Sequence, residues 1–282
     1  MPERTERAQL IKKAIAKRDR EHRLRPSLRL KNTSEIIDFV HDRGMVSALG
    51  GNELPSYISA ALGKPWKPSG RGFKGWLDWW SLKISGERLA KVSGQIERRD
   101  DIVATRIFRR SKTFVSQRLW PIIDPIVKHE KEHQTFSLLE SKLLETIERE
   151  GSIRTDRLRN LLRVEVGSGN SRFHRSLANL ESYMLIVGAE DPHPESHLHA
   201  NIWRTWEDRT QAKRRRSPAS YHQAISRLLE ETIKTCVIVK DIEVRKWFRW
   251  GEQTEKAKSE LLANNKIMKV GSHLIPSPPR TG

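Results

Sequence analysis

Residues 176–188, SLANLESYMLIVG, and residues 259–271, SELLANNKIMKVG, carry one passage twice: leucine, alanine and asparagine at helical spacing, then a short apolar run closing on Val-Gly. The segments upstream match as well. SLLESKLLETIERE sets Leu139, Leu143 and Ile147 four residues apart, on one helical face. LLET at 143–146 answers to LLEE at 228–231 in SYHQAISRLLEETIK, where Ile225, Leu228, Leu229 and Ile233 recur at the same period. One supersecondary unit therefore occurs twice, and the fold is restricted to what such a unit can build.

In the first copy Gly151 ends the opening helix, and SIRTDRLRNLL reads as a short second helix capped by Thr155 with Leu158, Leu161 and Leu162 inward. A Gly-Ser-Gly-Asn turn follows at 167–170. The third helix, SRFHRSLANLES, puts Phe173, Leu177 and Leu180 on its core face. YMLIVG and HLHANIW then read as strands on either side of the loop AEDPHPES. The second copy repeats the order with CVIV, DIEVRKWFRW as the short helix, EQTEKAKSELLANN as the third helix, and KIMKVG as the first wing strand. Three helices and a β-hairpin make a winged helix-turn-helix.

The N-terminal half reads as a basic helix, then TSEIIDFVHDRG as a helix capped by Thr33 or Ser34 and closed by Gly44, MVSAL as a hairpin strand, and ELPSYISAAL as a further short helix. WLDWWSLKISGERLAKV places Trp76, Trp79 and Trp80 at helical spacing, as core. DIVATRIFRRSKTFVSQRLWPII reads as strand with its basic side chains exposed. The predicted class is mainly α with small β-hairpins (α+β), as tandem winged helix-turn-helix units. The divisions are a basic helix at 1–25, a winged-helix-like unit with a Trp-rich insertion at 26–135, and winged helices at 136–212 and 213–282.

Lys and Arg outnumber Asp and Glu by 53 to 35, a net charge of +18 that favours a polyanionic partner, here double-stranded DNA. The charge is clustered. Between Asp101 and Asp124 stand Arg106, Arg109, Arg110, Lys112 and Arg118 with no acid, and KRRR at 213–216 includes Arg214 and Arg215. The third helix of the first copy directs Arg172, His174, Arg175 and Asn179 away from its core face, types that donate to phosphates and base edges. In the second copy Glu252, Glu255 and Glu260 interrupt Lys256 and Lys258, so that helix is expected to pack or brace.

Other classes recede. No apolar run approaches the roughly 18 residues of a membrane span, and the N-terminus lacks a secretory core, so no membrane is expected and a cytoplasmic, nucleoid-associated location is. Cys236 is the only cysteine, which excludes an intrachain disulfide and a Cys-based zinc site and fits a reducing compartment. His193, His197 and His199 lie near Glu190, Asp191 and Glu195, but the segment reads as a solvated wing loop, and no metal is expected. GSGNS and GRGFKG match neither phosphate-loop template, so no cofactor is expected.

RGMV after the first helix, NELPSYI opening the next, RIFRRSKTFVSQRLWPI, and SRFHRSLANLESYMLIVGAE together resemble the AlkZ (YcaQ) family of bacterial DNA glycosylases, most closely its shorter AlkZ-related members, over most of residues 28–272. The resemblance implies tandem winged helices acting on alkylated bases and interstrand crosslinks. It also implies a Gln-x-Gln or Gln-x-Asp pair on the strand after the first helix, positioning a water and stabilising positive charge on the sugar. Here that strand reads Met45, Val46, Ser47, Ala48, Leu49, and no such pair is present. The remaining catalytic candidates are Ser47, the Q-x-E of Gln95 and Glu97, and Asp100 and Asp101. The leading expectation is a winged-helix DNA-binding protein related to repair of alkylated or crosslinked DNA; an active glycosylase with a divergent catalytic residue and a transcriptional regulator are the alternatives.

Overall fold

The structure is a computed structural model and describes residues 2–70, 73–164, 168–191, 201–211 and 219–278. In chain order the elements are α1 (Pro2–Glu21), α2 (Thr33–Arg43), β1 (Met45–Ser47), α3 (Tyr57–Leu62), α4 (Phe73–Ser81), β2 (Lys83–Ile84), β3 (Glu87–Arg88), α5 (Leu89–Glu97), β4 (Ile102–Phe108) and β5 (Ser111–Ser116). The linking helix α6 (Trp120–His133) follows. Next come α7 (Leu138–Glu150), β6 (Ile153–Arg154), α8 (Thr155–Leu161), α9 (Ser168–Ser182), β7 (Ile186–Glu190), β8 (Asn201–Thr205) and α10 (Trp206–Thr210). The chain ends with α11 (Tyr221–Cys236), β9 (Val239–Lys240), a 3-10 turn at Asp241–Lys246, α12 (Gly251–Ala263), β10 (Ile267–Val270) and β11 (His273–Pro276).

The repeat is present down to its hydrogen bonds. Helices α7 and α11 both start on a reciprocal capping box, Ser137 with Glu140 and Ser220 with Gln223, which satisfies two orphan backbone donors at each start. Both end on a residue with positive φ, Gly151 at +67° and Val237 at +68°. The short strand that follows pairs antiparallel with the last strand of its own hairpin, β6 with β8 and β9 with β11. The third helices close alike, Leu185 N donating to Leu180 O and Lys266 N to Leu261 O across left-handed Met184 and Asn265.

The N-terminal half has the same wiring. Helix α2 ends at Gly44, where a Cβ would meet the Arg118 guanidinium inside contact distance, and β1 pairs with β5 in a sheet ordered β1-β5-β4. Within residues 45–49, Met45–Ser47 are thus the short first strand of a unit rather than half of a hairpin. Helix α5 holds the third-helix place, and α4 with the β2–β3 ribbon is inserted before it. The tandem winged-helix architecture, mainly helical with small antiparallel hairpins, follows from these pairings.

Several local expectations are corrected. Asn32, not Thr33 or Ser34, caps α2 by accepting from Glu35 N. Thr155 does not cap α8; its Oγ1 donates to Asn201 O at 3.0 Å and accepts from Trp203 Nε1 at 2.9 Å, fastening the wing to the second helix. Leu161 is exposed and only Leu158 is fully inward. The turn expected at 167–170 is already the first turn of α9 from Ser168 onward. WPII is helix: Pro121 opens α6, where a missing N–H is harmless. Trp79 is half-buried and donates to Tyr57 Oη at 3.2 Å, while the Trp76 side chain lies outside the described residues.

One apolar core runs through the β4–β5 sheet, α6, the middle unit and the C-terminal unit, and a second fills the space under α2, α3 and α5. The basic helix α1 is not a free arm. Ile11 and Ala14 pack on Ile238, Val270 and Ile275 of the last unit, Arg43 pairs with Glu21 at 2.6 Å, and buried His22 donates to Thr235 O at 3.0 Å.

Candidate nucleic-acid interface

The β4–β5 connection is a two-residue turn, Phe108 pairing with Ser111, with both central residues at positive φ: Arg109 at +49° and Arg110 at +53°. Such a turn matches strand twist and ordinarily holds Asn-Gly, because a side chain in the left-handed region costs about 1 kcal/mol or more. Two arginines in those positions mark a turn kept for what its side chains do.

They do different things. Half-buried Arg109 turns inward, Nε donating to Glu53 at 2.9 Å and a terminal nitrogen to Glu243 at 2.6 Å, so it ties the loop after β1 to the last unit. Arg110 turns outward. With Arg106 from β4 it borders an open cleft of about 550 Å³, whose other wall is α9 with Arg172, Arg175, Ser176, Ala178 and Asn179, and Glu140 at one end. Among the described residues, none of Arg110, Arg172 and Arg175 stands within ion-pair distance of a carboxylate. Glu140 is engaged by the Ser137 cap and by Asn179 Nδ2 at 2.8 Å.

The remaining candidates divide. The Asn179 carbonyl accepts from Arg249 at 2.7 Å, so both ends of its amide are held inside the protein. His174 is exposed beside Arg159 at 3.3 Å, and partial desolvation and that cation lower its pKa. Lys112 pairs with buried Glu97. The segment with Arg214 and Arg215, and the wing histidines 193, 197 and 199, lie outside the described residues.

Behind the cleft, sharing Arg106 and Ala178 with it, lies a smaller cavity of about 170 Å³. Two buried carboxylates line it. Glu97, the last residue of α5, accepts from Ser93 Oγ at 2.9 Å, from Lys112 Nζ, and from Glu190 N at 3.2 Å. Glu181 near the end of α9 accepts from Arg106 Nε at 2.9 Å; burial pushes its pKa up to about 7, against the pull of Arg106. Glu181 reads in sequence as the stray acid of a basic helix, and only its burial distinguishes it.

A family model described as AlkZ related matches residues 30–249. The chain belongs to that AlkZ-related family. Among solved structures, the DNA glycosylase AlkZ of Streptomyces sahachiroi shares the fold, with a TM-score of 0.55 at 10% identity, over 93% of this chain and 68% of that one. A comparison with curated proteins finds no match.

In this AlkZ-related chain the strand after α2 is filled. Met45, Val46, Ser47 and Ala48 are all buried, and Ser47 Oγ is bonded locally, donating to Leu49 O and accepting from Asn52 Nδ2 at 3.1 Å. His41, on α2, contacts Ser116 Oγ at 3.0 Å and Asp101 at 3.3 Å. Asp101 is clamped by Arg99, whose hydrogen bonds lower its pKa. Asp100 binds Arg209 at 2.8 Å with its own side chain almost wholly in solvent. Gln95 is half-buried on α5. Of the five catalytic candidates, Glu97 lines the cavity adjoining the cationic cleft, and Glu97 and Asp100 line a neighbouring one of about 220 Å³. Among the described residues no three His, Cys, Asp or Glu side chains gather as a metal site, and no helix is long and apolar enough to cross a membrane.

Proposed function

We propose that this AlkZ-related protein binds duplex DNA along the cleft between α9 and the β4–β5 turn, as part of handling alkylated or crosslinked DNA in the nucleoid. The observation that carries the reading is convergence: Arg106 and Arg110 from the hairpin and Arg172 and Arg175 from α9, distant in sequence, border one cleft. Guanidinium groups are suited to phosphate oxygens, and the helix presents them along one edge. The buried strand at 45–47, with Ser47 bonded locally and no glutamine pair, supports binding over the water-activating mechanism that such a pair would serve.

Titrating a fluorescent 20-base-pair duplex at increasing salt tests this. Three phosphates neutralised by Arg110, Arg172 and Arg175 imply a slope of log K on log salt of about −2.7, or roughly a 40-fold loss between 50 and 200 mM salt. A flat profile overturns the reading. One protected sequence in footprinting, with no preference for damage, would instead assign the protein to operator recognition.

A further inference from the structure

The cavity behind the cleft has walls from four elements. Glu97 ends α5; Ala104, Arg106 and Lys112 come from the β4–β5 hairpin; α9 gives Ala178 and Glu181; the wing sheet gives Gly188, Asn201 and Trp203. The wing residues share one sheet face, since 201 and 203 alternate with 202 along β8 and Gly188 is the register partner of Trp203. Trp203 is immobilised from two sides. Its Nε1 donates to Thr155 Oγ1, and its ring lies so close over Gly188 that a Cβ there would come within 2.8 Å of it.

At about 170 Å³ the space suits one flat ring system; an engineered apolar cavity of about 150 Å³ takes up benzene. Unlike that cavity, this one is polar. Arg106 donates to Oε2 of Glu181 and to the Arg110 carbonyl at 3.4 Å, and among the described residues no hydrogen bond is made to the second carboxyl oxygen of Glu181, which is left for a visitor. Glu97, by contrast, is satisfied by Ser93, Lys112 and the Glu190 backbone and serves as a fixed wall.

We propose that this cavity receives a single nucleobase turned out of the duplex in the cleft, held against Trp203 and hydrogen-bonded at its edge by the free oxygen of Glu181. The proposal rests on the cleft being the duplex track. A base extruded beside Arg106 would pass from the phosphate-binding arginines into the cavity that Arg106 borders. Aromatic stacking with an edge-reading polar group is how extruded bases are held in general. Burial raises the pKa of the Glu181 carboxyl, which accepts a hydrogen bond when ionised and can donate one when protonated.

The test compares two 20-base-pair duplexes, one fully paired and one with an adenine opposite an abasic site, where extrusion costs less. The full-length protein is expected to bind the second about tenfold more tightly. Asn201→Tyr, which fills the cavity from the wing edge, should reduce that preference to within twofold and leave affinity for the paired duplex unchanged. Ala104→Leu fills it from the opposite wall and repeats the measurement should the wing variant fail to fold. Equal affinity for the two duplexes, or a preference that survives both fillings, overturns the proposal and leaves the cleft reading standing. Binding to neither duplex removes both.

Discussion

His22 stands one residue beyond α1, buried, with Nε2 donating to the Thr235 carbonyl. Burial, with Arg18 and Arg43 nearby, lowers its pKa to about 4 from an ordinary 6.5. Between those values the unfolded chain binds more protons than the folded one, so this group's contribution is complete above pH 6.5 and is lost as pH falls toward 4. Glu181 acts in the opposite sense. Its folded pKa near 7 exceeds the ordinary carboxylate value, so the folded state binds the extra proton and acidification through that window favours folding. Urea midpoints at pH 7.5 and pH 5, compared between wild type and His22→Gln, isolate the first effect. The wild type is expected to lose more stability on acidification than the variant, and parallel losses would refute it. Neither role is legible in sequence, because a histidine after a basic helix and a glutamate after an apolar helix turn carry no mark of the burial that shifts them.

At the scale of elements, α9 and the β4–β5 turn bring the same residue type to opposite tasks. Arg172→Ala or Arg175→Ala should weaken duplex binding about 3- to 10-fold each and reduce the magnitude of the salt slope by roughly one. Arg109→Ala should leave affinity within about twofold yet lower stability by about 2 kcal/mol, because Glu53 and Glu243 then face each other without the cation between them. Paired binding isotherms and denaturant curves check both, and an Arg109 variant that loses binding but not stability would reverse the assignment. The acid-free run 102–123 is legible in the sequence as a cationic segment. It could not separate Arg109 from Arg110, since adjacent residues of a tight turn diverge in direction and only the partners decide which one is internal. In α12 the tie to the rest of the unit comes from a lysine: Lys258 bonds Asp241 of the preceding 3-10 turn and Glu255 of its own helix, at 2.7 Å each.

Across the whole molecule, the units are not beads on a string. The larger core is continuous from Val103 and Phe108 of the first sheet, through Leu143 and Phe173, to Leu228 and Trp247 of the last unit, with the Phe108 ring 5.2 Å from that of Trp247. Thermal unfolding followed by tryptophan fluorescence and far-UV circular dichroism is therefore expected to give one coincident transition, and two separated transitions would show that the units unfold independently. What the sequence determined by itself was the unit and its repetition, because helical period and the short apolar strands are local signals that each copy writes within a few tens of residues. The N-terminal half read as a winged-helix-like unit with a Trp-rich insertion, but its strand after α2 read as half of a hairpin, and α1 read as a separate basic helix because its apolar side shows no partner in one dimension. Only the tertiary structure decided that Arg106, Arg110, Arg172 and Arg175 border one cleft and that Glu97 and Glu181 line the cavity behind it. Packing α9 against β4 brings together residues some seventy positions apart, and no periodicity in a linear chain encodes which two faces will meet.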